Sequence, residues 1–244
     1  MSAIVFDIET GPRRWTEIEQ FYTPPESLPP WNESMVRYGQ TKDPAKRKEK
    51  YDKVKADYDA KLAIEKVDHE NKRLEWLGRA ALSPVTGCVL AIGLRGENGT
   101  AIIGEDEDSE SQILDAWWHH YKACASSSKR LIGFNIFGFD LPFLIRRSWF
   151  HGIPVPQSVL QKNRYWADVF VDLMAVWGCG VWNERVSLDT ASRFFGIGGK
   201  PDDVGGGDFA RLWLGTAEQH KQAAGYLRND LKMTWKLGER MGVI

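Results

Sequence analysis

Ile4-Val-Phe-Asp-Ile-Glu9 opens on a short, nearly continuous apolar run and then carries two acids. Such a run suits a strand buried on both faces of a mainly parallel sheet. Asp7 and Glu9 are two residues apart at the end of that strand, and a period of two puts both on one face. Buried carboxylates without partners are costly, so a central strand carrying two of them needs a cation between them. The alternative is that the strand stops at Phe6 and both acids are solvated in a loop.

Outward from this strand the chain alternates strands and helices, the pattern of an α/β fold. Val89–Leu94 and Thr100–Ile103 flank a turn signalled by Asn98-Gly99 and read as a hairpin. A helix is expected over about 111–124, a strand at Leu131–Phe134, a helix over about 140–150, a strand at Val169–Leu173 and a helix at Ser187–Phe195. Gly196–Gly207 is a glycine-rich loop. Thr216 with Gln219 makes a capping box for a last helix that runs to about Met241 and stops at Gly242.

Between the first strand and the hairpin, Pro24, Pro25, Pro29 and Pro30 mark an extended linker. A charge-dense segment, Asp43–Leu77, follows, with Tyr51, Val54, Tyr58 and Leu62 on one helical stripe. Residues 24–80 are therefore expected to form one long helix or a helical hairpin inserted into a single domain spanning 1–244. From Lys42 to Lys55 this insertion carries Lys42, Lys46, Arg47, Lys48, Lys50, Lys53 and Lys55 against Asp43, Glu49 and Asp52. That basic end either holds the phosphates of a nucleic-acid strand or serves only solubility.

A chain of 244 residues accommodates one large core with an insertion. Lys and Arg number 32 against 33 Asp and Glu, so no whole-molecule field draws it to nucleic acid or an anionic membrane. Cys88, Cys124 and Cys179 are far apart and form no metal-binding pair, which suits reduced, buried thiols. With no signal-peptide pattern and no apolar stretch of about 18 residues, a soluble cytoplasmic protein without membrane contact is expected.

Two more acidic motifs share the chain with Asp7 and Glu9. Asp140 lies in Gly133-Phe-Asn-Ile-Phe-Gly-Phe-Asp-Leu-Pro-Phe-Leu144, at a strand-to-helix junction. Read locally, it is a helix-capping acid ahead of a first-turn proline. Tyr226 and Asp230 are four apart on the final helix and share a face. Read locally, they are a core tyrosine beside a solvated aspartate.

Taken in order, Asp-x-Glu, Asn-x-x-x-Phe-Asp and Tyr-x-x-x-Asp resemble the three exonuclease motifs of the DEDD superfamily in its tyrosine-bearing branch. The middle motif is most similar to that of the proofreading domain of family B DNA polymerases. Ser187-Leu-Asp-Thr190 and Phe195-Gly-Ile-Gly198 resemble that group's segment before the last motif. The resemblance covers 3–11 and 82–238. The insertion departs from it, and no chain length remains for a polymerase.

What the resemblance implies is a ribonuclease H-like mixed sheet flanked by helices and a metal-dependent 3′-to-5′ exonuclease. Two Mg2+ or Mn2+ ions about 3.5–4 Å apart would neutralise the phosphate, activate water and stabilise the leaving oxygen, and the all-carboxylate donor set suits those hard cations. Asp7 would bridge both ions, Glu9 and Asp230 would hold the one binding the attacking water, and Asp140 would support the second. Tyr226 would orient the water. Thr10, Asn135 and Phe139, with Lys200 in the glycine-rich loop, are expected to contact the strand.

The expected substrate is a single-stranded DNA 3′ end, released as 5′-monophosphates, with a polymerase or another replication or repair protein as a partner still open. The alternatives are an exoribonuclease of the same superfamily, since only contacts to the 2′-hydroxyl distinguish the sugars, and an inactive nucleic-acid-binding subunit.

Other signals carry less. Gly196-Ile-Gly-Gly-Lys200 fails the phosphate-loop spacing and is followed by Pro201. Trp117, Trp118, Trp166, Trp177, Trp182 and Trp235 offer stacking surfaces, but core packing is the expected fate of most. His119 and His120 read as ordinary helix residues. Arg146 and Arg147 are expected either to meet phosphates or to form a solvated helix face.

Overall fold

The computed structural model describes residues 3–106, 109–160, 169–181, 184–199 and 206–244. The chain divides into two compact units, one of 1–13 with 80–244 and one of 14–79. The described helices are α1 (Trp15–Ile18), α2 (Pro44–Ala80), α3 (Glu110–Ser126), α4 (Asp140–Phe150), α5 (Gln157–Leu160), α6 (Leu173–Trp177), α7 (Leu188–Phe194), α8 (Phe209–Trp213) and α9 (Ala217–Arg240).

The larger unit is built on a mixed sheet in the order β3-β2-β1-β4-β5, from β1 (Ala3–Pro12), β2 (Gly87–Gly96), β3 (Gly99–Ile103), β4 (Arg130–Gly133) and β5 (Phe170–Asp172). β1 runs antiparallel to β2 and parallel to β4, and β5 continues parallel to β4. The strand expected at Ile4–Phe6 continues to Pro12, because β2 pairs with it along that length. Both acids therefore lie within the strand and not in a loop.

Helices cover the sheet on both faces. Ile4, Phe6 and Ile8 face one core with Trp117, Trp118, Leu141 and Leu144 of α3 and α4. Ala3 and Val5 face the other with Phe209, Leu227 and Leu231 of α8 and α9. The alternation carries Asp7 and Glu9 onto the α9 face. This is the ribonuclease H-like α/β arrangement, with a charged helical insertion after the first strand.

Two glycines allow close approach where the site is built. A Cβ on Gly133 would collide with Ile136 and lie 2.8 Å from the Phe6 carbonyl oxygen, where β4 passes β1. On Gly93 it would lie 2.6 Å from Leu231 Cδ1, so the missing side chain lets α9 settle on β2.

In the smaller unit α2 is one unbroken helix of 37 residues, which settles the choice between a single helix and a hairpin. Pro44 occupies its first position and Asp43 Oδ1 accepts from Ala45 N at 2.9 Å, a proline-led start with an acidic cap. Trp31 meets Tyr51 and Tyr58 with ring centroids 5.8 and 5.2 Å apart, so the expected stripe is covered by the unit's own proline-rich segment. Several of its basic residues have internal partners. Lys50 donates to Tyr38 O and Thr41 Oγ1, Arg47 lies over Tyr38, and Lys55 pairs with Asp59.

Some expectations change on folding. Arg147 neither meets solvent nor waits for phosphate: it is 1 % exposed and forms a two-bond ion pair with Glu110 at 2.6 and 2.8 Å. Cys124 is buried, but Cys179 is exposed and Cys88 is intermediate. Trp117, Trp118 and Trp235 are core residues, whereas Trp166, Trp182 and Lys200 lie outside the described residues. No described helix is long and apolar enough to cross a membrane.

Candidate active site

The site forms at the carboxyl ends of the parallel strands, where open α/β sheets place their ligand crevices. β1 and β4 pair only from Ala3↔Arg130 to Val5↔Ile132. Beyond Val5, the backbone of β1 on that side has no strand beside it, and side chains from the β4–α4 connection take its place. Asp140 Oδ1 accepts from Ile8 N at 3.2 Å. Its carboxyl therefore reaches across to β1, although Asp140 is the first residue of α4 and Phe139 holds the cap position.

On the α9 face, Asp7, Glu9 and Asp230 each bring a carboxylate oxygen within 4.8 Å of the others. Asp230 is 3 % exposed and Glu9 9 %. At Glu9 and Thr10 the β1–β2 register slips past Leu90, a bulge of the kind that re-aims side chains at sheet edges and active sites. Tyr226 stands one turn before Asp230, 5 % exposed, and its ring packs near Phe209 at 6.4 Å. A Cβ added to Gly206 would lie 3.5 Å from Tyr226 Oη.

Burial, with the Asp7 carboxylate beside it, holds the Asp140 carboxyl well above the usual aspartate range. Two nearby acids that cannot both ionise comfortably are what a bound cation relieves. All the donors are carboxylate oxygens, hard ligands that suit Mg2+ or Mn2+ and lack the thiolate or imidazole set typical of zinc. On this chemistry the residues present fit a divalent metal.

Asp172, which the motifs did not single out, organises the next element. It ends β5, is 3 % exposed, and takes three backbone N–H bonds: Asn135 and Met174 at Oδ1 (2.8 and 2.9 Å) and Phe137 at Oδ2 (3.0 Å). Burial raises its pKa against the opposing effect of those bonds. An acid closing a short apolar strand at the sheet's carboxyl edge was the available signal.

The turn it holds carries Asn135 in the left-handed region, φ 62°, a conformation that asparagine tolerates better than most residues. Asn135 Oδ1 is buried without a hydrogen-bond partner, and a Cβ on Gly138 would collide with it. Thr10 is 8 % exposed on β1 beside Glu9. Phe139 is half-buried and packs on Phe143, ring centroids 5.5 Å apart. Thus Asp7, Glu9 and Asp230 cluster, Asp140 joins them from the α4 side, and Asn135 borders the same edge.

A family model described as "Predicted 3'-5' exonuclease related to the exonuclease domain of PolB" matches residues 75–243. Among solved structures, the chain is similar to the family B DNA polymerase from the hyperthermophilic archaeon Pyrobaculum calidifontis, with a TM-score of 0.54 and 18 % identity. That match covers 67 % of this chain and 23 % of the polymerase, and at this identity it speaks for the fold. No curated protein matches the sequence. With most of its length inside the family model and its acids gathered at the sheet edge, the chain belongs to the family of predicted 3′-5′ exonucleases related to the exonuclease domain of PolB, and so to the DEDD exonucleases.

Proposed function

We propose that this protein removes nucleoside 5′-monophosphates one at a time from the 3′ end of single-stranded DNA. The whole chain acts as one tyrosine-type exonuclease domain, with 24–80 as an insertion within it. The observation that carries this reading is the meeting of Asp7 and Glu9 from β1 with Asp230 from α9, within 4.8 Å.

Asp7, Glu9, Asp140 and Asp230 would hold two divalent ions, Mg2+ or Mn2+, which when bound neutralise the phosphate and favour ionised water. Asp140 is fixed by its bond from Ile8 N, so its carboxyl keeps one position relative to β1. Tyr226 Oη orients the attacking water, since an unassisted phenol is a poor general base. The water oxygen forms a bond to phosphorus as the bond to the 3′ oxygen breaks. That oxygen takes up a proton and leaves a strand with a free 3′-hydroxyl. Asn135 hydrogen-bonds the terminal nucleotide from the turn after β4, and Thr10 borders that nucleotide from β1.

The test uses 5′-labelled single-stranded DNA and the matching RNA, each with magnesium, manganese or chelator. A metal-dependent one-nucleotide ladder on DNA supports the proposal. A ladder on RNA alone assigns the site to ribonucleotides, and no cleavage with either metal makes the chain a binding subunit.

A further inference from the structure

Three aromatic rings gather at the ends of two short helices, Trp177 and Phe194 outside both cores and Phe195 packed against the edge of the α9-side one. Trp177 ends α6, Phe194 ends α7 and Phe195 follows it. Their rings meet edge to face, Trp177 with Phe194 at 5.4 Å, Trp177 with Phe195 at 5.9 Å and the two phenylalanines at 5.0 Å. Phe194 is 72 % exposed, with Val181 at 61 % and Val176 at 40 %. Scattered exposed apolar residues need no explanation, but a contiguous aromatic patch on a soluble domain marks a contact surface.

The patch adjoins a cavity in sequence, since Trp177 is followed directly by its lining residue Gly178. A cavity of about 410 Å³ opens between the Asn135 turn and the end of α6, lined by Asn135, Asp172, Met174, Gly178 and Val181. One wall is the Asn135 turn, and the other begins at Gly178, the residue after Trp177. Glu184 and Arg185 both border it, so their charges offset and the cavity does not select phosphate. The part of a strand suited to such walls is the base. Every base has a π-face, so stacking on aromatic rings is tolerant of sequence, as an enzyme that removes any nucleotide requires.

Resting on the exonuclease reading, we infer that Trp177, Phe194 and Phe195 form a stacking platform for unpaired bases of the strand whose 3′ end lies at Asp7 and Asp230. The cavity between Asn135 and Val181 takes the nucleoside that links the two. Affinity for the strand then comes partly from bases upstream of the bond being cut.

The experiment measures kcat/KM with magnesium on 5′-labelled oligothymidylates of about 2 to about 12 nucleotides, spanning a single-strand footprint. Wild-type enzyme gains with length. Phe194→Ala should lose roughly 5- to 50-fold of that gain, the loss of one base–ring stack. Phe194→Tyr should retain the gain, and Phe194→Leu, with apolar bulk but no ring, should behave like Phe194→Ala. Abasic residues upstream should erase the difference between wild type and Phe194→Ala. If wild type cleaves with a length preference that Phe194→Ala shares in full, or if Phe194→Leu serves as well as Phe194→Tyr, the platform is wrong and the patch is an apolar contact for protein. If wild type cleaves no single strand at all, the exonuclease reading fails and takes the platform with it.

Discussion

Gly93 stands directly opposite Asp7 in the β1–β2 pair, and the space its side chain would fill is occupied by Leu231 and Leu227 of α9. Those leucines directly follow Asp230 and Tyr226, so the contact at Gly93 sets how closely the helix brings its acid and phenol to the strand. Gly93→Ala is expected to overpack two fully buried leucines and cost about 1–3 kcal/mol. It should also lower kcat on the order of 10- to 100-fold by shifting α9 with every site carboxylate still present. Urea unfolding and single-turnover kinetics on the same variant check both, and unchanged kcat would show that the spacing at Gly93 does not set the site.

The buried Asp140 carboxylate opposes stability. Asp140 has a folded-state pKa raised by burial and by Asp7, so the native state binds more protons than the unfolded chain between the ordinary aspartate value and that raised value. Stability of the metal-free protein therefore falls as pH rises through that window and recovers on mild acidification. Asp140→Asn keeps an acceptor for Ile8 N and removes the charge. In chelator at neutral pH its melting temperature should exceed that of wild type, with this part of the pH slope gone and cleavage abolished. A lower melting temperature would mean the carboxylate is not destabilising where it sits. Asp7→Ala, Glu9→Ala and Asp230→Ala should likewise abolish cleavage without unfolding.

For Tyr226→Phe the expectation is a single-turnover rate lowered roughly 10- to 10³-fold, the range for losing one orienting or proton-transferring group. The ring keeps its packing near Phe209, so thermal stability should hardly move. A rate equal to wild type would return Tyr226 to the core.

Glu110 gives the opposite pH signature. Burial pushes its carboxyl up, but bonds from Arg147, His151 and Val89 N outweigh burial and hold it below the ordinary glutamate value. A depressed folded-state pKa means that its contribution is complete above the unfolded value and is lost as pH falls from about 4 toward the lower folded value. Glu110→Ala leaves Arg147 buried without its partner and should cost on the order of 3–5 kcal/mol at neutral pH. The loss should shrink in acid. A constant difference across the titration would show that Glu110 stays ionised throughout.

The parts of this architecture that were legible depend on local pattern. The apolar run at Ile4–Phe6, the Asn98-Gly99 turn and the Thr216–Gln219 capping box each specify their element through neighbours in sequence, and each element formed. The strand period places Asp7 and Glu9 on one face and the helix period does the same for Tyr226 and Asp230, but only the resemblance of the three motifs to the DEDD exonucleases joins the two pairs. Arg147 could not be placed, since its partner lies 37 residues away on another helix. The destination of the Asp140 carboxyl depends on where β4 stops pairing with β1, a tertiary fact. Asp172 was signalled only as an acid closing a short apolar strand, and the backbone N–H groups it binds depend on the tertiary turn after β4.

The 14–79 unit enters and leaves the sheet at one point. Pro12 pairs with Gly87, and Arg13 N donates to Thr86 O at 2.9 Å, so the two strands that set Asp7 opposite Gly93 close on each other only after the whole insertion has been bridged. In folding kinetics this makes β1–β2 a long-range pairing, the slow class of event, whereas α2 coils locally on a microsecond scale. The entropy of closing a chain grows only with the logarithm of its length, about 0.6 kcal/mol per doubling, so the excursion slows the search far more than it weakens the finished sheet. Until that search ends, Asp7 and Glu9 have no α9 above them. The meeting of Asp7 and Glu9 with Asp230 is then among the last events of refolding, well after most of the helical signal has returned.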